Sequence, residues 1–280
     1  MMGYMWAGWC RSQVIAIAVF VTLLSAAIAL IFALSTGNFG LFRKTGSYKS
    51  GCVMTNPAGS NLPSVPTTLP HSPLAFHLLA KPTGAVCNLD CKYCFFLSKE
   101  MLYPGSRFRM ADELLETYIR QLLEAQQIPK VTIAWQGGEP TLMGLDFFKR
   151  SIKLVEKYKK PGQTVLYTIQ TNGTKIDDEL AAFFKQHNFL VGLSVDGPQQ
   201  LHDVYRVNKG GAGSFEQVMR GFHCLQKHAV DVNILCTVHA ANTDHPLEIY
   251  HFFCDDLGAE YMQFIPQILW PTCRRAVWKV

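Results

Sequence analysis

From Leu74 onward the chain alternates short apolar runs with longer stretches in which apolar residues recur every three or four positions. Phe76 to Ala80 is the first such run. Ala111 to Gln127 then sets Leu114, Leu115, Tyr118, Ile119, Leu122 and Leu123 on one helical face. Val131 to Trp135 reads as a strand, 145–158 as a helix, 164–170 as a strand and 177–187 as a helix. Further strands are expected at 189–195, 231–238 and 260–265, separated by helices at 214–228 and 243–256. Six strands alternating with five helices predict an α/β fold of parallel βα units. Right-handed crossovers would curl such a sheet in one direction.

Polar motifs fall where these strands end. Cysteines follow the first, Gln136-Gly-Gly-Glu-Pro140 the second, Gln170-Thr-Asn-Gly173 the third and Ser194-Val-Asp-Gly-Pro198 the fourth. Carboxyl ends of parallel strands are where α/β sheets build ligand sites. Gln136, Gln170 and Asn172 would face that mouth, where they could bind a peptide backbone or satisfy their own turns. Asp196 fits either a site or a turn, because Asp-Gly-Pro is good turn chemistry.

The densest chemistry is Cys87-Asn-Leu-Asp-Cys91-Lys-Tyr-Cys94, three thiols spaced C-x3-C-x2-C. Thiolates this close select zinc or iron–sulfur. Structural zinc wants four ligands, and none of Cys10, Cys52, Cys224, Cys236, Cys254 and Cys273 forms a second pair. A [4Fe–4S] cluster on three thiolates keeps one iron open for a small chelating ligand. A redox pair at Cys91 and Cys94 and an incomplete zinc knuckle remain as alternatives. Cys224, Cys236 and Cys254 lie inside helix or strand patterns and read as buried packing residues.

On these residues the chain resembles the radical S-adenosylmethionine (SAM) enzymes, whose C-x3-C-x2-C carries an aromatic residue, here Tyr93, before the last cysteine. The resemblance implies a partial (β/α)6 barrel with a [4Fe–4S] cluster on Cys87, Cys91 and Cys94. It implies SAM on the open iron, split by one electron to a 5′-deoxyadenosyl radical. Gly137, Gly138 and Glu139 would then meet the amino group of SAM. Ser194 would meet the ribose, Arg206 the carboxylate, and Tyr93 and Ile268 the adenine. A narrower likeness lies in Leu79–Pro82, Trp135–Leu142, Gln170–Thr174, Val191–Pro198, Asn233–Val238 and Gln263–Ile265. Together these look like the anaerobic sulfatase-maturating enzymes, over residues 74–268. Such enzymes oxidise a Ser or Cys of an unfolded sulfatase segment to Cα-formylglycine. That implies a sulfatase polypeptide as partner, and a reductant such as flavodoxin or ferredoxin. Their cysteine-rich SPASM-type domain, which binds further clusters and supplies an aspartate base, has no counterpart before Val280. The divergent tail 269–280 is therefore expected to mark a truncated or frameshifted end, with no catalytic base in this chain. Another radical SAM peptide modifier, or a cluster-binding remnant without turnover, are the competing readings.

Residues 14–34 are 21 consecutive positions without a charge, enough for one transmembrane helix. Arg43, Lys44 and Lys49 follow it, which orients the remainder to the cytoplasm and makes the chain inner-membrane-anchored. Translation from Met54 would instead give a soluble cytoplasmic chain. Residues 1–53 thus form an amino-terminal segment, and 54–73, rich in proline, a linker before the core at 74–268. Nine cysteines, an odd number, do not suit a secreted disulfide framework. The net charge of +5 is scattered, with no basic run longer than a pair, so nucleic acid is not an expected partner.

Overall fold

The computed structural model describes residues 75–102, 106 and 108–267, and the expected alternation runs through them. The uncharged span 14–34, the linker 54–73, Ile268 and the tail lie outside the described residues. Among the described residues no helix is long and apolar enough to cross a membrane.

Six strands form one sheet: β1 (Leu79–Ala80), β2 (Lys130–Trp135), β3 (Thr164–Thr171), β4 (Phe189–Ser194), β5 (Asp231–Val238) and β6 (Met262–Pro266). Their order in space is their order in sequence, and every neighbouring pair is parallel. Between them run α1 (Asp112–Ala125), α2 (Leu145–Tyr158), α3 (Asp178–Gln186), α4 (Gln199–His202), α5 (Phe215–Lys227) and α6 (Pro246–His251). A sheet that always steps the same way by right-handed crossovers keeps its helices on one face and leaves the other concave. No pairing joins β1 to β6 among the described residues, so the barrel is open.

Strand parity decides what each face carries. Val131, Ile133 and Trp135 of β2, Tyr167 and Ile169 of β3, and Phe189 and Val191 of β4 pack with Leu115, Ile119, Phe147, Phe148 and Phe184 of the helices. Trp135 is fully buried there, edge-on to Phe147 at 5.2 Å. A second cluster joins Leu193, Val195, Ile234 and Cys236 to Val218, Phe222, Ile249 and Phe253. The alternate residues, Gln136, Gln170 and Ser194 among them, therefore turn to the concave side.

Four details depart from the periodic reading. β1 is two residues long: only Leu79 and Ala80 pair with β2, and Phe76 and Leu78 ahead of them are exposed. Leu114 is 55% exposed and lies off the buried face of α1. The last helix starts only at Pro246, which suits a first helical turn, and ends as a π turn over Phe252–Asp256. Cys236 is buried as expected, whereas Cys224 and Cys254 are only half-buried.

Candidate active site

The cysteine loop leaves β1 and is fastened from two sides. On one side lies the Gly137-Gly138-Glu139 turn at the end of β2. The Glu139 amide donates to the Val86 carbonyl at 2.9 Å. Gly138 has φ +47°, and a Cβ there would stand 2.1 Å from that same carbonyl oxygen. A Cβ on Gly137, at φ +79°, would fall 2.5 Å from the Lys81 side chain. The glycines thus let the cysteine loop, rather than only a ligand, approach the main chain.

Glu139 is fully buried. Its Oε1 accepts from the Thr141 amide (3.0 Å) and from the Thr141 and Thr171 hydroxyls (2.7 Å each). Its Oε2 accepts from the Asn172 amide at 2.7 Å. Burial raises its pKa against the opposing pull of these hydrogen bonds. Asn172 carries the connection on to the thiols. Its Nδ2 donates to Cys87 Sγ at 3.5 Å and to Asn88 Oδ1 at 3.0 Å. Its Oδ1 accepts from the Thr174 amide and hydroxyl.

On the other side stands Asp196, just past β4 and fully buried. Arg206 donates to it twice, Nε to Oδ2 at 2.8 Å and Nη2 to Oδ1 at 3.1 Å. Tyr93, between the second and third cysteines, donates its hydroxyl to Oδ2 at 2.6 Å. The Thr237 amide at the end of β5 adds a fourth bond at 2.9 Å, and His239 Nε2 lies 3.5 Å from Oδ2. Burial alone would raise the Asp196 pKa, but the Arg206 guanidinium and these donors outweigh it and hold the carboxyl well below its usual range. Arg206 is itself buried, and Asp196 keeps it charged. The bidentate pairing expected toward a ligand carboxylate is here made to Asp196.

His202 supports this pair from behind. The Asp196 amide donates to its Nδ1 (3.3 Å), and the Ser214 hydroxyl donates to the Arg206 carbonyl (2.8 Å). Ser214 has one hydrogen to give, so His202 Nε2, at 3.1 Å, must donate to Ser214. The ring is neutral, with burial and then the Arg206 charge lowering its pKa to about 3. Between pH 6.5 and 3 an unfolded chain binds a proton here that the folded chain refuses, so stability falls as pH falls through that window. The expected slope from this group is up to about 1.4 kcal/mol per pH unit. Urea midpoints at pH 7, 6 and 5 check it, and His202→Asn should flatten the decline. An unchanged slope in that variant would refute the assignment.

Cys87, Cys91 and Cys94 are half-buried free thiols, and each lies within electrostatic reach of the others. Burial pushes Cys87 up to about 11 and Cys91 up to about 12. Sulfurs held like this gain from a metal that takes their protons. Among the described residues no three His, Cys, Asp or Glu side chains form a group around one metal ion. Three thiols are the ligand set that would hold a [4Fe–4S] cluster with one iron left open.

The structure therefore gathers Tyr93, Gly137, Gly138, Glu139, Ser194 and Arg206 with the thiols at the carboxyl ends of the strands. Ser194 is buried, and its hydroxyl has no partner among the described residues. His202, His239 and Thr237 also belong to this site and fall in none of the polar motifs that follow the first four strands. For the last two a signal existed, since they end β5 as the other motifs end their strands.

A model described as the radical SAM superfamily matches residues 82–253. A serine-type anaerobic sulfatase-maturating enzyme of Bacteroides thetaiotaomicron is 44% identical over 191 residues, 68% of this chain and 46% of that protein. A cysteine-type enzyme of the same description from Clostridium novyi is 41% identical over 194 residues, 68% of this chain and 50% of the other. The solved structure described as native anSMEcpe with bound AdoMet and Cp18Cys peptide superposes with a TM-score of 0.63. Its identity is 36%, covering 69% of this chain and 51% of that one. The chain thus spans about half the length of the curated relatives it matches.

Proposed function

The chain belongs to the radical SAM superfamily, and from that premise we propose that it holds its [4Fe–4S] cluster on Cys87, Cys91 and Cys94 and directs radical chemistry at a sulfatase polypeptide. The reaction proposed is oxidation of a Ser or Cys to Cα-formylglycine, as the names of its relatives suggest. When bound, the cluster and SAM supply one-electron cleavage of the sulfonium to a 5′-deoxyadenosyl radical.

The chain's own residues hold and orient. Tyr93, tied to Asp196, fixes the turn between Cys91 and Cys94. Asn172 donates toward Cys87 and would lower the charge on that sulfur once it is a thiolate. Glu139 Oε2 accepts from the Asn172 amide and keeps a second lone pair suited to an ammonium. Ser194 offers a hydroxyl suited to a ribose. Arg206 presents a charge that Asp196 orients and partly neutralises. One observation carries the reading: three thiols within reach of one another, fastened by motifs from the ends of four other strands.

Chain reconstituted anaerobically with iron and sulfide should bind about four irons and release 5′-deoxyadenosine from SAM under dithionite. Replacing all three cysteines by alanine should bring both to background. Iron unchanged in that variant would overturn the ligand assignment. A sulfatase peptide that neither binds nor changes the rate of deoxyadenosine release would overturn the proposed substrate alone.

A further inference from the structure

Lys81, Gln136 and Gln170 share one face and one level of the barrel. Ala80 is in register with Trp135 and Trp135 with Ile169, so the next residues stand side by side across β1, β2 and β3. Gln170 is then in register with Gly192, where the row of side chains stops. Lys81 Nζ donates to Gln136 Oε1 at 3.3 Å, and Gln136 Nε2 donates to Gln170 Oε1.

This order cannot run backwards. Lysine has only hydrogens to give, so Gln136 must turn its oxygen to Lys81 and its NH2 to Gln170. Gln170 must in turn meet that NH2 with its oxygen, which sends its own NH2 away from the row. That NH2 has no partner among the described residues. Lys81 is held over the Phe96 ring at 3.8 Å, and partial burial lowers its pKa without removing its donors. Two glutamines that could have offered either sign of hydrogen bond are thereby made to present N–H.

We propose that Lys81 is a positioning residue that sets this polarity, and that Gln170 receives a main-chain carbonyl of the polypeptide substrate. The inference rests on the polypeptide reading above and adds the sign of the contact: the subsite takes an oxygen acceptor and turns away a peptide N–H. Ordering supplied in advance by Lys81 spares the amides that cost when the peptide arrives.

The test is binding of a fluorescein-labelled synthetic peptide, carrying the cysteine of a sulfatase maturation site, to iron-loaded chain with SAM present. Gln170→Glu keeps the shape and removes the donors, and should weaken binding by about thirtyfold or more. Lys81→Met should weaken it by about tenfold while Lys81→Arg stays close to wild type. Iron content and SAM binding should be unchanged in all three. Replacing the peptide bond that supplies the carbonyl by an ester, a poorer acceptor, should weaken binding to wild type but not to Gln170→Glu or to Lys81→Met. A merely structural Lys81 would not produce that coupling. Equal binding by wild type, Lys81→Met and Gln170→Glu would overturn the inference and leave the function standing. Loss of binding on amidating the peptide's acidic side chains would move the contact to a carboxylate and overturn the main-chain assignment. No binding by wild type would remove the polypeptide reading and this inference with it.

Discussion

Replacing Asp196 by alanine is expected to cost the fold about 3–5 kcal/mol, the range for breaking a buried ion pair from one side. The Arg206 side chain is 8% exposed and that of Asp196 is not exposed at all. Removing the carboxylate leaves a largely buried guanidinium without its counter-charge, a tyrosine hydroxyl without its acceptor and the Thr237 amide unpaired. The cost comes chiefly from what is left behind. The double variant Asp196→Ala/Arg206→Met should accordingly be more stable than Asp196→Ala alone. Urea denaturation of the four species of that cycle measures it. A single-variant loss below about 1 kcal/mol would mean that the pair is already solvated.

Gly138→Ala carries the second large effect, and it acts on the thiols. Alanine at φ +47° pays roughly 1–2 kcal/mol in backbone strain. Its Cβ also cannot stand 2.1 Å from the Val86 carbonyl, so that carbonyl must move. Cys87 is the next residue, and it moves too. The expected outcome is a total loss of roughly 2–4 kcal/mol together with a sharp drop in iron captured on reconstitution. Gly144→Ala is the control, because φ is +80° there and nothing lies within 4 Å of the added carbon. It should lose stability and keep its iron. If Gly138→Ala binds iron like wild type, the turn does not hold the cysteine loop as described.

Much of this architecture is written locally. The βα alternation is legible because each element repeats its apolar positions at its own period, and β2 to β6 fall within a residue or two of expectation. The four-residue α4 escapes, since one turn has no period to read. The cysteine triad and the Gly-Gly-Glu turn are legible as motifs, yet the partners of the glycines are not. Nothing in Gly137-Gly138 announces that Val86 and Lys81 occupy the space a side chain would take. The Asp196 hub was hidden for a similar reason. Its donors come from positions 93, 206 and 237, and only the folded chain brings them together. The family resemblance points Arg206 at a ligand carboxylate, and its pairing with Asp196 is invisible in sequence because a turn-like Asp-Gly-Pro carries no signature of a buried acid.

The separation between Tyr93 and Asp196 also has a meaning in time. The sheet adds its strands in the order the ribosome delivers them, so each βα unit can settle on the one before it. The hydroxyl of Tyr93, however, waits for a carboxylate 103 residues later. At about 5–20 residues per second that is an interval of roughly 5–20 s. Through it the thiols of the nascent chain are made but not yet braced, open to premature oxidation or to a stray metal. Delivery of iron to this protein is therefore best timed after β5 has emerged, and a cell making it in quantity has reason to keep its thiols guarded until then.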